Sequence, residues 1–505
     1  MRALCKTLVL AALALLLGAC SRGPDAQRLE QDVQSRVDAL FGRQVLALET
    51  LRRQGSAPYR AGDDGARQII VYYNAILRVE EAYDPSDWQG LSPTMIANAL
   101  GAADEGITGL KAGPNDPGTE LRAYGSIVYR RVGSEWQPAG ELTPRAPAPA
   151  ALEASVPGSR SEDLVRRLAE LVQKAPARRG KDDEIIADEL GRALENIRLR
   201  TGRDDEVVMV AAGPEGGEYW RFLASVVARI RGPMPVALAA SAGSVENAFL
   251  IDRGDARIGL VQSDVAAAAV TGAGVFSDTG PLDHLRAMAS LFPEPVHVVV
   301  RAGSGIERLG DLQGRRVGLG AAASGTRRTA MRLLEAAGID IATIEVAEAD
   351  SPLAALERLV NGDVDAVIEV VSAPWRQLEI AMDRTPLELV ALEPEVIELL
   401  GSDVHGLLPL AIPARTYRGQ ERAVATVAAT ALLVARDDVS DALVVEALDL
   451  LFASASSGVS GVQATRLSKE RALDGVTIPL HAAAARYFAK AASDPPRSSA
   501  AVPRN

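Results

Sequence analysis

The sequence predicts an α/β protein of two lobes joined by a hinge, preceded by a small α+β domain. From about residue 205, apolar runs alternate with helical patterns: EVVMVAAG, WRFLASVVARI, a strand at 234–240, VENAFLIDRG, ARIGLV, and onward to VDAVIEVV. Such alternation implies parallel strands whose faces are both covered by helices. Two further apolar runs, HVVVRA (297–302) and LLPLAIPA (407–414), read as crossings between lobes. Two crossings make a hinge, and the cleft beside it can close on a ligand. Residues before about 142 follow another rhythm, one helical pattern and then long alternating segments, which predicts a helix on an antiparallel sheet.

The chain begins with Arg2 and Lys6, then an apolar run over 8–17. The run is too short to span a bilayer and reads as a signal peptide over 1–19. LGAC at 17–20 resembles the lipobox of bacterial lipoproteins, which implies cleavage before Cys20 and its lipidation. The expected location is periplasmic, anchored in the inner or outer membrane, with Ser21 after the Cys leaning toward the outer. With Cys5 removed, one Cys remains and no internal disulfide can form.

A polar tether (20–26) leads into the α+β domain at 27–142, where Leu29, Val33, Val37 and Leu40 share one helix face. VLALETLRR, IIVYYNAILRV and ELRAYGSIVYRRVGSEWQPA then read as strands, the last a pair around a Gly-Ser turn. Tyr72, Tyr73 and Trp136 fit core or sheet positions. A Pro/Ala/Ser linker covers 143–160. Leu164, Leu168, Leu171 and then Ile186, Leu190, Leu194 mark a helical connector over 161–204. The two-lobed domain is expected at 205–490, with lobe 1 at about 205–295 and 413–490 and lobe 2 at about 301–406. The end, 491–505, reads as a disordered tail.

A net charge of −12 argues against nucleic acid as a partner. Only six of the 54 cationic residues are Lys, so a single Arg says little about an anion site. The four His stand at 284, 297, 405 and 481, without metal-ligand spacing. His297, in an apolar strand, reads as a satisfied structural histidine. Glycines around Gly318 and Gly320 are wrongly spaced for a dinucleotide loop, and neither a G-x-S-x-G elbow nor a Ser/His/Asp set is visible. The expectation is therefore no catalysis, no cofactor and no metal.

The segment at 241–264, SAGSVENAFLIDRGDARIGLVQSD, is the most informative for function. Two strand tips end in small hydrogen-bonding groups beside helix starts, where open α/β sheets bind anions. Ser244 is placed at a helix cap, Val245 beside it, and Gln262, Ser263 and Asp264 at the second tip. Gly216 and Gly217 let backbone N–H groups approach a ligand. Ser324, Gly325 and Thr326 repeat the cap in the other lobe. Tyr219 and Trp375 are candidate walls. Each turn alone reads as a tight turn before a helix; together, at successive strand ends, they read as a site.

Seven of these motifs, in order, resemble the TAXI family, the solute-binding subunits of tripartite ATP-independent periplasmic (TRAP) transporters. They are Gly216-Gly217-Glu218-Tyr219, GSVEN (243–247), QSD (262–264), PEPVHVVVR (293–301), SGT (324–326), IPARTYRGQ (412–420) and IPLHAAAARYF (478–488). The chain departs from the family pattern at Ala322-Ala323 and Ala482-Ala483, where Pro-Gly is usual. The resemblance implies a two-lobed type II periplasmic-binding-protein-like fold. It also implies capture of a small organic acid, glutamate-like or dicarboxylic, for a TRAP-type membrane permease. A ligand sensor or interaction lipoprotein on the same fold is the alternative.

Overall fold

The computed structural model describes residues 23–59, 67–139, 207–228, 235–321, 324–349, 351–401, 406–452 and 466–493. The expected signal peptide, Cys20, linker and helical connector lie outside these residues, as does the chain after Ser493.

The first helix, Ala26–Phe41, starts where the Asp25 carboxylate accepts the Arg28 amide at 2.7 Å and stops at Gly42 in the left-handed conformation. Its four periodic residues, Leu29, Val33, Val37 and Leu40, are the ones it buries. They rest on an antiparallel sheet of β1 (Leu46–Pro58), β2 (Gln68–Val79), β3 (Ile107–Thr108), β4 (Glu120–Val132) and β5 (Glu135–Pro138). The strands run in the order β1-β2-β4-β3, with β5 on the far end of β4. A second helix, Pro93–Leu100, closes the core, and the Tyr73 hydroxyl donates to the Leu100 carbonyl at 2.7 Å. Gly125 is obligatory there, since a Cβ would stand 2.3 Å from that carbonyl oxygen.

The second sheet contains β6 (Val208–Ala211), β7 (Val236–Ala239), β8 (Ile258–Gln262), β9 (Leu285–Arg301), β10 (Arg316–Gly318), β11 (Glu345–Ala347), β12 (Ala366–Val370), β13 (Leu387–Leu389), β14 (Leu408–Ile412) and β15 (Val424–Arg436). Its order is β11-β10-β12-β9-β15-β8-β6-β7. β6, β7 and β8 are parallel, as are β10, β11 and β12, which follows from the alternating pattern. β9 and β15 run antiparallel to their neighbours, so the sheet is mixed rather than parallel throughout.

These two strands make the hinge. Leu285 to Pro295 of β9 pair with β15 in the first lobe, and Val296 to Val300 pair with β12 in the second. One strand thus belongs to both lobes, with Met288 in the first core and Val298 in the second. The return crossing differs from its expected form. β14, inside the run at 407–414, pairs with β15 through a hairpin, and β15 carries the chain back into the first lobe. The hairpin turn is set by Arg415 (φ 65) and its amide bond to Gln420 O at 2.7 Å, a local feature that apolar runs do not show.

The antiparallel unit sits across the hinge. Trp88 is buried against Leu410 of β14 and Ala428 of β15. Asp87 pairs with Arg471 of the first lobe at 3.3 Å, and Asn98 donates to Glu379 of the second at 2.8 Å. Among the described residues, no helix is long and apolar enough to cross a membrane.

Candidate functional site

Both lobes turn their helix starts toward one seam. In the first lobe, Gly216 (φ 72) and Gly217 make the turn before the helix Glu218–Val227. Gly217 caps it, with its amide on Pro214 O at 2.9 Å. The next turn is capped by Gly243 (φ 132), not by Ser244, which is the first residue of the helix Ser244–Arg253. The expected cap is displaced because Glu246 reaches back to the Ala242 amide at 2.6 Å and leaves Ser244 free for another bond. Its hydroxyl accepts the Gln262 amide at 3.1 Å and so ties the two strand tips together. Val245, half-buried, packs against the apolar core beneath.

At the β8 tip, Gln262, Ser263 and Asp264 are all buried. Ser263 is satisfied within the protein: its hydroxyl donates to Gly406 O and accepts the Thr430 amide at 2.9 Å. Asp264 crosses the seam, accepting from Thr329 of the helix Gly325–Ala336 at 2.7 Å. Burial pushes its carboxyl above the usual range, against the opposing pull of Arg328 and Arg332.

In the second lobe, Ser324 caps the helix Gly325–Ala336, as the sequence predicts, accepting the Arg327 amide at 3.1 Å. Gly325 is pressed against the first lobe. A Cβ there would stand 1.6 Å from Gln262 Oε1 and 3.4 Å from the Ser244 side chain. Thr326 donates to Glu369 Oε2 at 3.2 Å and accepts the Val370 amide at 3.3 Å. The structure therefore brings Ser244, Gln262, Asp264, Gly325 and Thr326 together, with the lobes closed on one another.

Tyr219 and Trp375 occupy different settings. The Tyr219 hydroxyl donates to Glu294 Oε2 at 2.5 Å at the hinge. Trp375 is buried in the second-lobe core, its ring 6.0 Å from that of His297 and its amide donating to the Tyr417 hydroxyl at 2.8 Å.

The sequence motifs missed the acidic lining. Glu218 accepts from both the hydroxyl and the amide of Ser372 across the seam. Glu294 is buried, and burial followed by the nearby Glu218 raises its carboxyl well above the ordinary range. Glu369, also buried, is pushed up to about 8 by loss of solvent, and only its bond from Thr326 counters this. A lone Glu inside AVIEV and another between two prolines were the available signals. Among the described residues, no cluster of His, Cys, Asp and Glu is arranged to hold a metal.

Residues 210–491, more than half of the chain, match the model of the NMT1-like family. Similar solved structures include the periplasmic aliphatic sulphonate-binding protein SsuA from Escherichia coli, at 16% identity and TM-score 0.26, covering 36% of this chain and 59% of that one. They also include MatC from Rhodopseudomonas palustris with bound malate (16%, TM-score 0.33, 48% and 81% covered). PhnD1 from Prochlorococcus marinus with methylphosphonate is a third (12%, TM-score 0.32, 48% and 82% covered). The chain thus spans less than two thirds of the SsuA length. With two α/β lobes closing over a seam of helix starts, and the family match covering both, this chain belongs to the NMT1-like family and has a type II periplasmic-binding-protein-like fold.

Proposed function

We propose that this protein captures a small organic acid, glutamate-like or dicarboxylic, between its lobes outside the cytoplasm and delivers it to a TRAP-type permease. The observation that carries the reading is the contact of Gln262 with Gly325 together with the Asp264–Thr329 bond. Groups from both lobes meet there, so a ligand held between them favours the closed form and the surface that form displays. Gly216, Gly217, Ser244, Gln262, Asp264, Ser324, Gly325 and Thr326 are the proposed contacts, with Ser263 and Val245 holding the tips in place. Lipid on Cys20 holds the protein at the membrane.

The docking of Trp88 onto the hinge favours a second reading, a ligand sensor whose antiparallel domain reports closure. Two measurements separate the readings. Ligand uptake by vesicles carrying a TRAP permease, dependent on this protein, supports transport. Ligand-dependent binding to a membrane partner without uptake supports sensing. Thermal-shift screening of organic acids tests capture itself, and no shift with any small solute overturns it. Mass spectrometry of the mature N-terminus checks the lipid.

A further inference from the structure

Where the antiparallel domain seats on the hinge, it encloses a small cavity. Trp88 and Ser92 line it from the domain, Pro295 from β9 and Ala373 from the second lobe. Pro413, after β14, and Arg466, which leads into the first-lobe core at Leu467, complete the wall. The cavity holds about 10 Å³, room for one water-sized occupant and none for an organic acid. Ser244, Gln262, Asp264, Gly325 and Thr326 do not line it, so it is separate from the seam between the lobes.

Three unpartnered groups meet on this cavity. Trp88 is 4% exposed, Ser92 5% and Arg466 5%, and Trp88 Nε1, Ser92 Oγ and Arg466 Nε are buried without a hydrogen bond. Indole and guanidinium N–H groups only donate, and their protonation does not vary near neutral pH. Ser92 stands at the N-cap of the helix Pro93–Leu100, yet its hydroxyl caps no amide and can donate too. The positive end of that helix dipole lies at the same place.

Arg466 also brings a charge that lacks a direct counter-ion. Its bond to a described residue is from Nη1 to Ala373 O, at 3.3 Å. Glu218 and Asp87 act on it from a distance, and they are bonded to Ser372 and Arg471. Tyr83, also near, is a neutral phenol that donates to Leu91 O at 2.7 Å. Among the described residues, no carboxylate lines the cavity. A buried cation in that position is costly.

A water molecule answers these groups poorly. It accepts at most two bonds, leaves the charge unmet, and brings protons that need acceptors of their own. Pro295 O already accepts from His297 and Val371, and Pro413 O from Thr416 and Gln420. A monatomic anion accepts from every donor and brings no proton.

We infer that the cavity is a chloride site, in which Trp88 Nε1, Ser92 Oγ and Arg466 Nε hold the ion between the antiparallel domain and the hinge. The ion neutralises Arg466 and adds to the apolar seat of Trp88. Because Pro295 and Ala373 share the cavity, chloride favours the domain seated across both lobes, whatever solute the seam holds.

The test uses the full mature protein. Crystals grown in bromide should give an anomalous peak between Trp88, Ser92 and Arg466. In calorimetry, chloride replaces gluconate, which is too large for the cavity, at constant ionic strength. The melting midpoint should rise by roughly 2 °C for each tenfold increase in chloride. Arg466→Met should abolish this dependence. Trp88→Phe keeps an aromatic ring in the seat and removes the indole N–H, and it should weaken halide binding about threefold. Should Arg466→Met fail to fold, the peak and the Trp88→Phe titration decide. Absence of a peak at this place overturns the inference whatever the melting curves show, and water is then the occupant. A midpoint indifferent to chloride overturns it as well, as does an unchanged dependence in either folded variant.

Discussion

The Tyr417 hydroxyl donates to Nε2 of His297 at 2.7 Å and accepts the Trp375 amide at 2.8 Å. Nδ1 of the same imidazole lies 2.9 Å from Pro295 O, a carbonyl that only accepts, so the proton of neutral His297 sits on Nδ1. One tautomer satisfies the whole chain of bonds, and it ties the second-lobe core to the hinge. Tyr417→Phe removes both the donor to Nε2 and the acceptor for Trp375. We expect a loss of roughly 1–3 kcal/mol in urea unfolding. An unchanged midpoint would show that the relay contributes nothing.

The same imidazole sets an acid limit. Burial lowers His297 to about 4, below its unfolded value, so its share of stability is complete above pH 6.5 and is lost as pH falls toward 4. The loss is about 1.4 kcal/mol per pH unit within that window. His297→Gln is expected to flatten this part of the urea-midpoint profile between pH 6.5 and 4.5.

Glu369 acts at the other end. Its folded value, about 8, exceeds the unfolded one, so stability is complete below pH 4.5 and declines as pH rises toward 8. Glu369→Gln should therefore unfold later than the parent at pH 8 and near the parent at pH 4.5. Equal midpoints at pH 8 would mean that Glu369 ionises freely in the folded protein.

Closure has its own variant. Gly325 opens a helix, where alanine is well tolerated, yet a Cβ there would stand 1.6 Å from Gln262 Oε1. Gly325→Ala is expected to keep each lobe folded and hold the lobes apart. Small-angle scattering should show a larger radius of gyration. Affinity for any captured solute should fall about tenfold or more, or ~1.4 kcal/mol. Unchanged scattering and affinity would show that the lobes slip past one another without cost.

Docking of the antiparallel domain rests on apolar contact rather than charge. The Asp87–Arg471 pair is partly exposed, and such pairs contribute only ~0–1 kcal/mol. Trp88 is 4% exposed, and truncating a buried tryptophan costs about 3–5 kcal/mol. Trp88→Ala should separate the melting of this domain from that of the lobes in calorimetry, whereas Asp87→Ala should leave one transition. Identical scans for both variants would remove the distinction.

Elements with a period were legible in the sequence. Leu29, Val33, Val37 and Leu40 announced both a helix and its buried face, and Ser324 announced its own cap. The parallel strands followed from alternation. What failed to register has no period. Ser244 and Gly243 exchange roles because a side chain two residues on competes for the turn. The β14–β15 hairpin depends on the conformation of Arg415. Glu369 and Glu294 are single polar letters in apolar strands; the setting of Glu294 arises only when Glu218, distant in sequence, is folded beside it, and that of Glu369 only when Thr326 is. The Trp88 contact with Leu410 likewise joins residues that no local pattern connects.

β9 changes its partner from β15 to β12 between Pro295 and Val296, with Pro293 one residue before Glu294. Neither proline has an N–H to give to the ladder. The strand is least tethered where it passes from one lobe to the other, and this stretch is the pivot about which opening turns. A point on a pivot moves least. Glu294 lies on it, whereas Gln262 and Gly325 lie out along the arms. The opened molecule therefore meets an arriving solute with its acidic corner already in place, and the arms complete the enclosure afterwards.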